Sequence, residues 1–257
     1  MIGEMRLRVL LPAALFALAA GRAGAVEYGL TYLSVPGRID FVQTDLPTGD
    51  AAPQTDTTSF GAFGFVAVVP IPGAIGPFSP AVETGFALPA GDQAFDHREL
   101  ARNSGGSTHN ARHDGDFTSW SVATVPVLAA IRYSQPSENV TFGGEVGAGI
   151  LFMGVSTERT LTTYDASDTT VIAHDTRRSQ TVQLALAVQA AAGLVVPATE
   201  GVDLRLYGGL IWIGDVPSTT TSDVASPILV YGEDRNSPGL TIGGLGFMLR
   251  LALNVSL

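Results

Sequence analysis

A transmembrane antiparallel up-and-down β-barrel of about eight strands is the fold class this sequence predicts, on three observations. Apolar residues alternate with polar or small ones at period two in run after run. The gaps between runs alternate short and long along the chain, as in barrels with tight turns at one end and long loops at the other. No apolar run approaches the ~20 residues that a membrane helix needs.

The first 25 residues read as a secretory signal. Arg6 and Arg8 supply positive charge, residues 9–20 are apolar but too short to span a bilayer, and Ala23-Gly24-Ala25 offers a small-residue cleavage site. The expected organisation is therefore a signal peptide over 1–25 and one barrel domain over 26–257. Thirty glycines and fifteen prolines disfavour long helices. With a formal net charge of −10 and no lysine, the chain has nothing to neutralise phosphates in bulk, which argues against nucleic acid as a partner. Signal cleavage would deepen that charge, since it removes three arginines against Glu4. The absence of cysteine excludes disulfides and thiolate metal sites.

The strands follow in order. The first covers 27–44, with a kink expected at Pro36-Gly37. The second, 59–70, puts Phe63, Phe65, Ala67 and Val69 on one face. The third, 79–91, puts Val82, Thr84, Phe86 and Leu88 outward and Glu83 inward. The fourth, 117–134, turns Val125, Val127, Ala129, Ile131 and Tyr133 outward and Arg132 inward; Pro126 requires a bulge if the barrel is closed. The fifth, 140–156, turns Phe142, Val146, Ala148, Ile150 and Phe152 outward and Glu145 inward. In the sixth, 181–194, Val182, Leu184, Leu186 and Val188 oppose Gln183, Ala185, Ala187 and Gln189. In the seventh, 202–212, Val202, Leu204, Leu206, Leu210 and Trp212 oppose Asp203, Arg205 and Tyr207. The eighth, 245–257, has the cleanest split: Leu245, Phe247, Leu249, Leu251, Leu253 and Val255 against Gly246, Met248, Arg250, Ala252 and Asn254. The expected interior is filled and polar.

Short Pro/Gly turns fall at 71–77, 135–139 and 197–201, and long polar gaps at 45–58, 92–116, 157–178 and 215–238. Both termini then share the short-turn end, expected to be periplasmic, which leaves four long extracellular loops. Within 157–178, residues 160–164 and 169–174 can form a hairpin above the membrane. Tyr28, Tyr32, Phe117, Trp120, Tyr133, Tyr207 and Trp212 are candidates for interfacial girdles.

The leader, even meander, tight turns and amphipathic last strand resemble the small eight-stranded outer-membrane barrels: the OmpA membrane domain, OmpX and OmpW. The resemblance is one of architecture and carries no diagnostic motif. It departs at Leu257, where such barrels usually end in an aromatic residue. It implies an outer-membrane location in a Gram-negative envelope, with outer-membrane lipid, lipopolysaccharide and the barrel assembly machinery as partners and no cofactor.

Six inward charges, Glu83, Arg132, Glu145, Asp203, Arg205 and Arg250, form the candidate lumen network. Three acids against three arginines can neutralise one another, and an eight-stranded barrel is just wide enough for side chains to fill. In the second long gap, His109, His113, Asp114 and Asp116 carry imidazole and carboxylate groups suited to zinc. Their spacing lies in a glycine-rich stretch, so a solvated loop is the expected reading and no metal site is assigned. His174-Asp175 and Ser107 with His109 supply residue types for nucleophilic chemistry, with nothing to set their geometry.

The expected function is a non-enzymatic outer-membrane barrel with a structural or surface-interaction role through its four long loops toward an unknown extracellular ligand. The expected transport role is at most a narrow pore or a path for small hydrophobic molecules. Two other classes remain open on sequence: an outer-leaflet lipid-modifying enzyme, such as an acyltransferase or deacylase, and a secreted soluble β-sandwich binding module.

Overall fold

A computed structural model of the chain describes residues 26–44, 51–101, 112–137, 140–164, 171–217 and 239–255. The proposed leader 1–25 and the terminal Leu257 lie outside these residues.

Nine strand segments are present: β1 Glu27–Thr44, β2 Ala51–Pro70, β3 Phe78–Pro89, β4 Gln93–Ala101, β5 Arg112–Pro136, β6 Thr141–Tyr164, β7 Val171–Thr199, β8 Val202–Pro217 and β9 Gly239–Val255. All neighbouring pairs are antiparallel, β1 pairs with β9, and β3 pairs with β5, so the sheet closes on itself. β3 and β4 both pair with β5 and occupy one stave of the ring, broken at residues 90–92. The ring therefore has eight staves.

Period two explains the closure. Every second residue faces lipid or lumen, and a closed ring leaves no backbone edge in the hydrocarbon. The outer positions carry exposed Phe63, Phe65, Ile131, Val146, Leu184, Leu186, Leu206, Leu249 and Leu251, from six different staves. Leu186 remains 67% exposed, which water would oppose and hydrocarbon favours. Tight turns hold the short end. Between β2 and β3, Ile75 and Phe78 exchange both backbone hydrogen bonds around Gly76-Pro77, and Gly76 takes φ 60°, the first position of a two-residue hairpin loop where glycine is favoured.

At the opposite end the strands run well beyond the apolar belt, which bears out the hairpin expected within 157–178 and corrects the reading of 45–58 and 92–116 as loops. Much of 45–58, 92–116 and 157–178 is strand: β2 starts at Ala51, β4 and β5 form a hairpin, and β6 and β7 pair to Tyr164↔Val171. These polar stretches satisfy their backbones across the hairpin, where alternation no longer needs an apolar face. Only 45–50, 102–111, 165–170 and 218–238 separate the strands there, and all four lie outside the described residues.

Two lines of the ring lack registered pairing in this upper part. β7 has no β8 partner above Ala187↔Ile213, and β2 has no stave partner above Ala62↔Pro89. Isolated hydrogen bonds bridge the lines: Gln183 Nε2 to the Pro217 carbonyl at 2.9 Å across one, and the Ala90 amide to the Gly61 carbonyl at 2.8 Å and Thr58 Oγ1 to Gln93 Oε1 at 3.2 Å across the other. The upper barrel is thus two leaves, β8-β9-β1-β2 and β4-β5-β6-β7. Between them lies an apolar core of Val35, Phe60, Trp120, Met153, Ile213 and Ile242, with other buried side chains.

Pro126 is accommodated without the expected bulge. Its pairing with Leu151 of β6 is unbroken. On the β3 side the register is the same at Thr84↔Val127 and Ala87↔Thr124, and the two rungs between them are missing. The proline, lacking an N–H, faces the side on which the ladder opens.

Candidate functional site

The lumen has two storeys. Near the short-turn end it is ionic, and above that it is apolar. The expectation of a polar interior throughout is corrected by the upper storey, where Trp120 and Val122 of β5 pack with Leu151, Met153 and Val155 of β6. Trp120 and Tyr207, candidates for interfacial girdles, are both only 2% exposed and belong to the lumen.

The ionic storey is a chain of contacts. Glu27 Oε2 accepts from Arg132 Nη2 at 2.7 Å and from Arg205 Nη1 at 2.8 Å. Arg132 Nε lies 3.3 Å from Glu145 Oε2, and the two residues are direct cross-strand partners on β5 and β6. Arg250 Nη1 is 3.2 Å from both oxygens of Glu145, and its Nη2 is 2.6 Å from Glu83 Oε2. Gln189 ties the last two acids together, donating from Nε2 to Glu83 Oε2 at 2.7 Å and to Glu145 Oε1 at 2.8 Å. The Arg132 guanidinium sits 5.7 Å from the centre of the Tyr207 ring, within cation–π range.

Of the six residues expected in the lumen, the structure joins Glu83, Arg132, Glu145, Arg205 and Arg250 in this chain. Asp203 stands at its rim, 3.9 Å from Arg205 with a 36% exposed side chain. The third central acid is Glu27, which the sequence reading did not select. Three buried carboxylates therefore face three arginines. Each lone ion would cost several kcal/mol to bury, and that cost is offset only by pairing of this density.

Space for the network comes from β6. Its inward positions run Gly143, Glu145, Gly147. A Cβ on Gly143 would stand 2.5 Å from the Tyr207 hydroxyl, and one on Gly147 would stand 3.3 Å from Gln189 Cγ. The glycines on either side of Glu145 let the phenol and the amide reach across it. Glu27, Gln189 and Tyr207 all share the inward parity of their strands; for Gln189 and Tyr207 that phase was the signal available in the sequence.

Of the four metal candidates, one falls outside the described residues and three fall on one strand. His109 lies outside the described residues. His113, Asp114 and Asp116 lie on β5 rather than in a loop. Among the described residues no group of three His, Asp or Glu is placed to hold an ion. His174 and Asp175 are consecutive on β7; Ser107 lies outside the described residues.

No protein-family model matches the sequence, and neither does any curated protein sequence. Among solved structures the chain is similar to Neisserial surface protein A, at 10% identity over 88% of this chain and 97% of that one, with a TM-score of 0.34. It is similar to the outer membrane protease OmpT from Escherichia coli at 8% identity over 91% and 97%, TM-score 0.31. It is also similar to Ail, the attachment invasion locus protein of Yersinia pestis, at 10% identity over 86% and 97%, TM-score 0.25. What defines this chain is its own geometry. A tube that turns leucine and phenylalanine outward, and pairs its buried arginines and glutamates inward, is built for lipid around it rather than water, and the chain folds as a closed antiparallel β-barrel of eight staves.

Proposed function

We propose that this protein is a sealed, non-enzymatic outer-membrane barrel whose work is done at the extracellular end. The observation that carries this reading is the doubly closed lumen. The ionic storey closes one half with paired charges and the apolar storey closes the other with packed side chains, so among the described residues no polar path runs along the axis. The chain termini and tight turns are periplasmic, and the long hairpins stand outside the cell, next to lipopolysaccharide. There they present extended, largely polar strands to an extracellular partner.

Planar bilayers test this reading. The purified barrel should leave the baseline conductance unchanged across both voltage polarities. Regular unitary steps that disappear with heat-denatured protein would replace the surface role with a pore. Protease added to intact cells should cut within the long-loop end and spare the turns at 71–77 and 200–201.

A further inference from the structure

A cavity of about 30 Å³ lies where the two storeys meet, lined among others by Thr31, Glu83, Thr124, Pro126, Leu151 and Gln189. One water needs about 10–15 Å³ in this measure, so the space suits one or two. Its polar lining has an unmet demand: Thr124 is 1% exposed, and its Oγ1 has no hydrogen-bond partner among the described residues. Beside it the β3–β5 ladder lacks the two rungs at Gly85–Phe86 opposite Val125–Pro126. Backbone left unpaired inside a membrane wall costs several kcal/mol per group unless something polar meets it.

We propose that this cavity is a hydration site, in which bound water completes the hydrogen bonding of Thr124 and of the strand edges that Pro126 leaves open. The occupant is neutral, because the adjacent storey already balances three carboxylates with three arginines and an added ion would be uncompensated. It is small, because Leu151, Ile211 and Met248 close the apolar side. The site gives the proline a structural setting, a place in a closed barrel where a missing N–H is tolerated because a third party bridges the gap.

The sign of one substitution separates a wet site from a dry one. Thr124→Val is nearly isosteric and removes only the hydroxyl. If water is bound there, the variant loses that water's anchor, and the midpoint of the heat-induced gel shift of the full-length barrel in detergent falls by a few degrees. If the cavity is dry, the variant removes an unsatisfied hydroxyl and the midpoint stays or rises. A high-resolution crystal structure of the wild-type protein supplies the second readout. Ordered water within hydrogen-bond distance of Thr124 Oγ1 supports the site, whereas an empty cavity or a detergent tail in it overturns the proposal even if Thr124→Val fails to fold.

Discussion

The ionic and apolar storeys fill the same tube between the same walls, yet they respond differently to the loss of one side chain. In the ionic storey each group holds two or three others, so removing one leaves buried charge without a partner. In the apolar storey the loss is a cavity, and its cost grades with the volume removed. The lower storey is therefore brittle and self-specifying. The upper one tolerates repacking, because van der Waals contact has no sign to violate.

Arg250→Met should produce the largest effect. Arg250 is 1% exposed and contacts both Glu83 and Glu145, so the variant strands two carboxylates and should cost about 3–5 kcal/mol, read as a drop in the urea midpoint of folding in detergent or lipid. Combining it with Glu83→Gln and Glu145→Gln should restore much of that loss. A triple variant no more stable than Arg250→Met would mean that packing volume, not charge balance, sets the cost. A second substitution moves the comparison to the outer wall. Leu186→Arg places a charge on the exposed belt and should cost about 2–4 kcal/mol in a bilayer. The penalty should shrink in a detergent micelle that admits water, and an equal penalty in both would remove Leu186 from the lipid-facing surface.

The legibility of the sequence followed the same division. Strands with unlike faces were readable: β9 sets Leu245, Phe247, Leu249, Leu251 and Leu253 against Arg250 and Asn254, and the structure exposes the first set and buries Arg250. β1 was not. Its outer face has Leu30 and Tyr32 and its inner face has Leu33 and Val35, so an apolar lumen erases the contrast on which phase depends. That is why Glu27 escaped notice although it joins two arginines. Gln189 was assigned the inward parity but carries no charge to mark it, and its role depends on carboxylates from two other staves. The strand extensions within 45–58 and 92–116 were misjudged for a related reason, whereas the hairpin within 157–178 was anticipated. Outside the belt a strand needs no apolar face, so polar composition does not distinguish it from a loop.

A milder substitution probes the upper storey alone. Ile213→Val removes one methylene from a fully buried position in the apolar core and should cost about 0.5–1.5 kcal/mol while leaving bilayer conductance at baseline. Measurable conductance from so small a change would show that the apolar seal, and not the ionic chain, sets the permeability of the barrel.

The smallest effect is expected above the belt, where β6 and β7 pair in water. Glu158 and Arg178 face each other in register through two hydrogen bonds, Arg178 Nε to Glu158 Oε2 at 2.9 Å and Nη2 to Oε1 at 3.0 Å. These bonds hold the Glu158 carboxyl below its ordinary value against the opposing effect of desolvation, with the arginine's charge adding to the lowering, while Arg178 stays protonated throughout. A carboxylate depressed in the folded state stabilises fully above its unfolded value of about 4.3, and the contribution disappears as pH falls through the lower, folded value. Glu158→Gln should therefore differ slightly from wild type at neutral pH and converge with it in acid, and salt should weaken the difference because the pair is exposed. Amide exchange along the β6–β7 hairpin gives the local readout. A gap between the two proteins that widens on acidification would reverse the sign and separate the hairpin's stability from this ion pair. The same exchange data compare a solvated pair, losing its contribution gradually with pH, with the buried chain around Arg250.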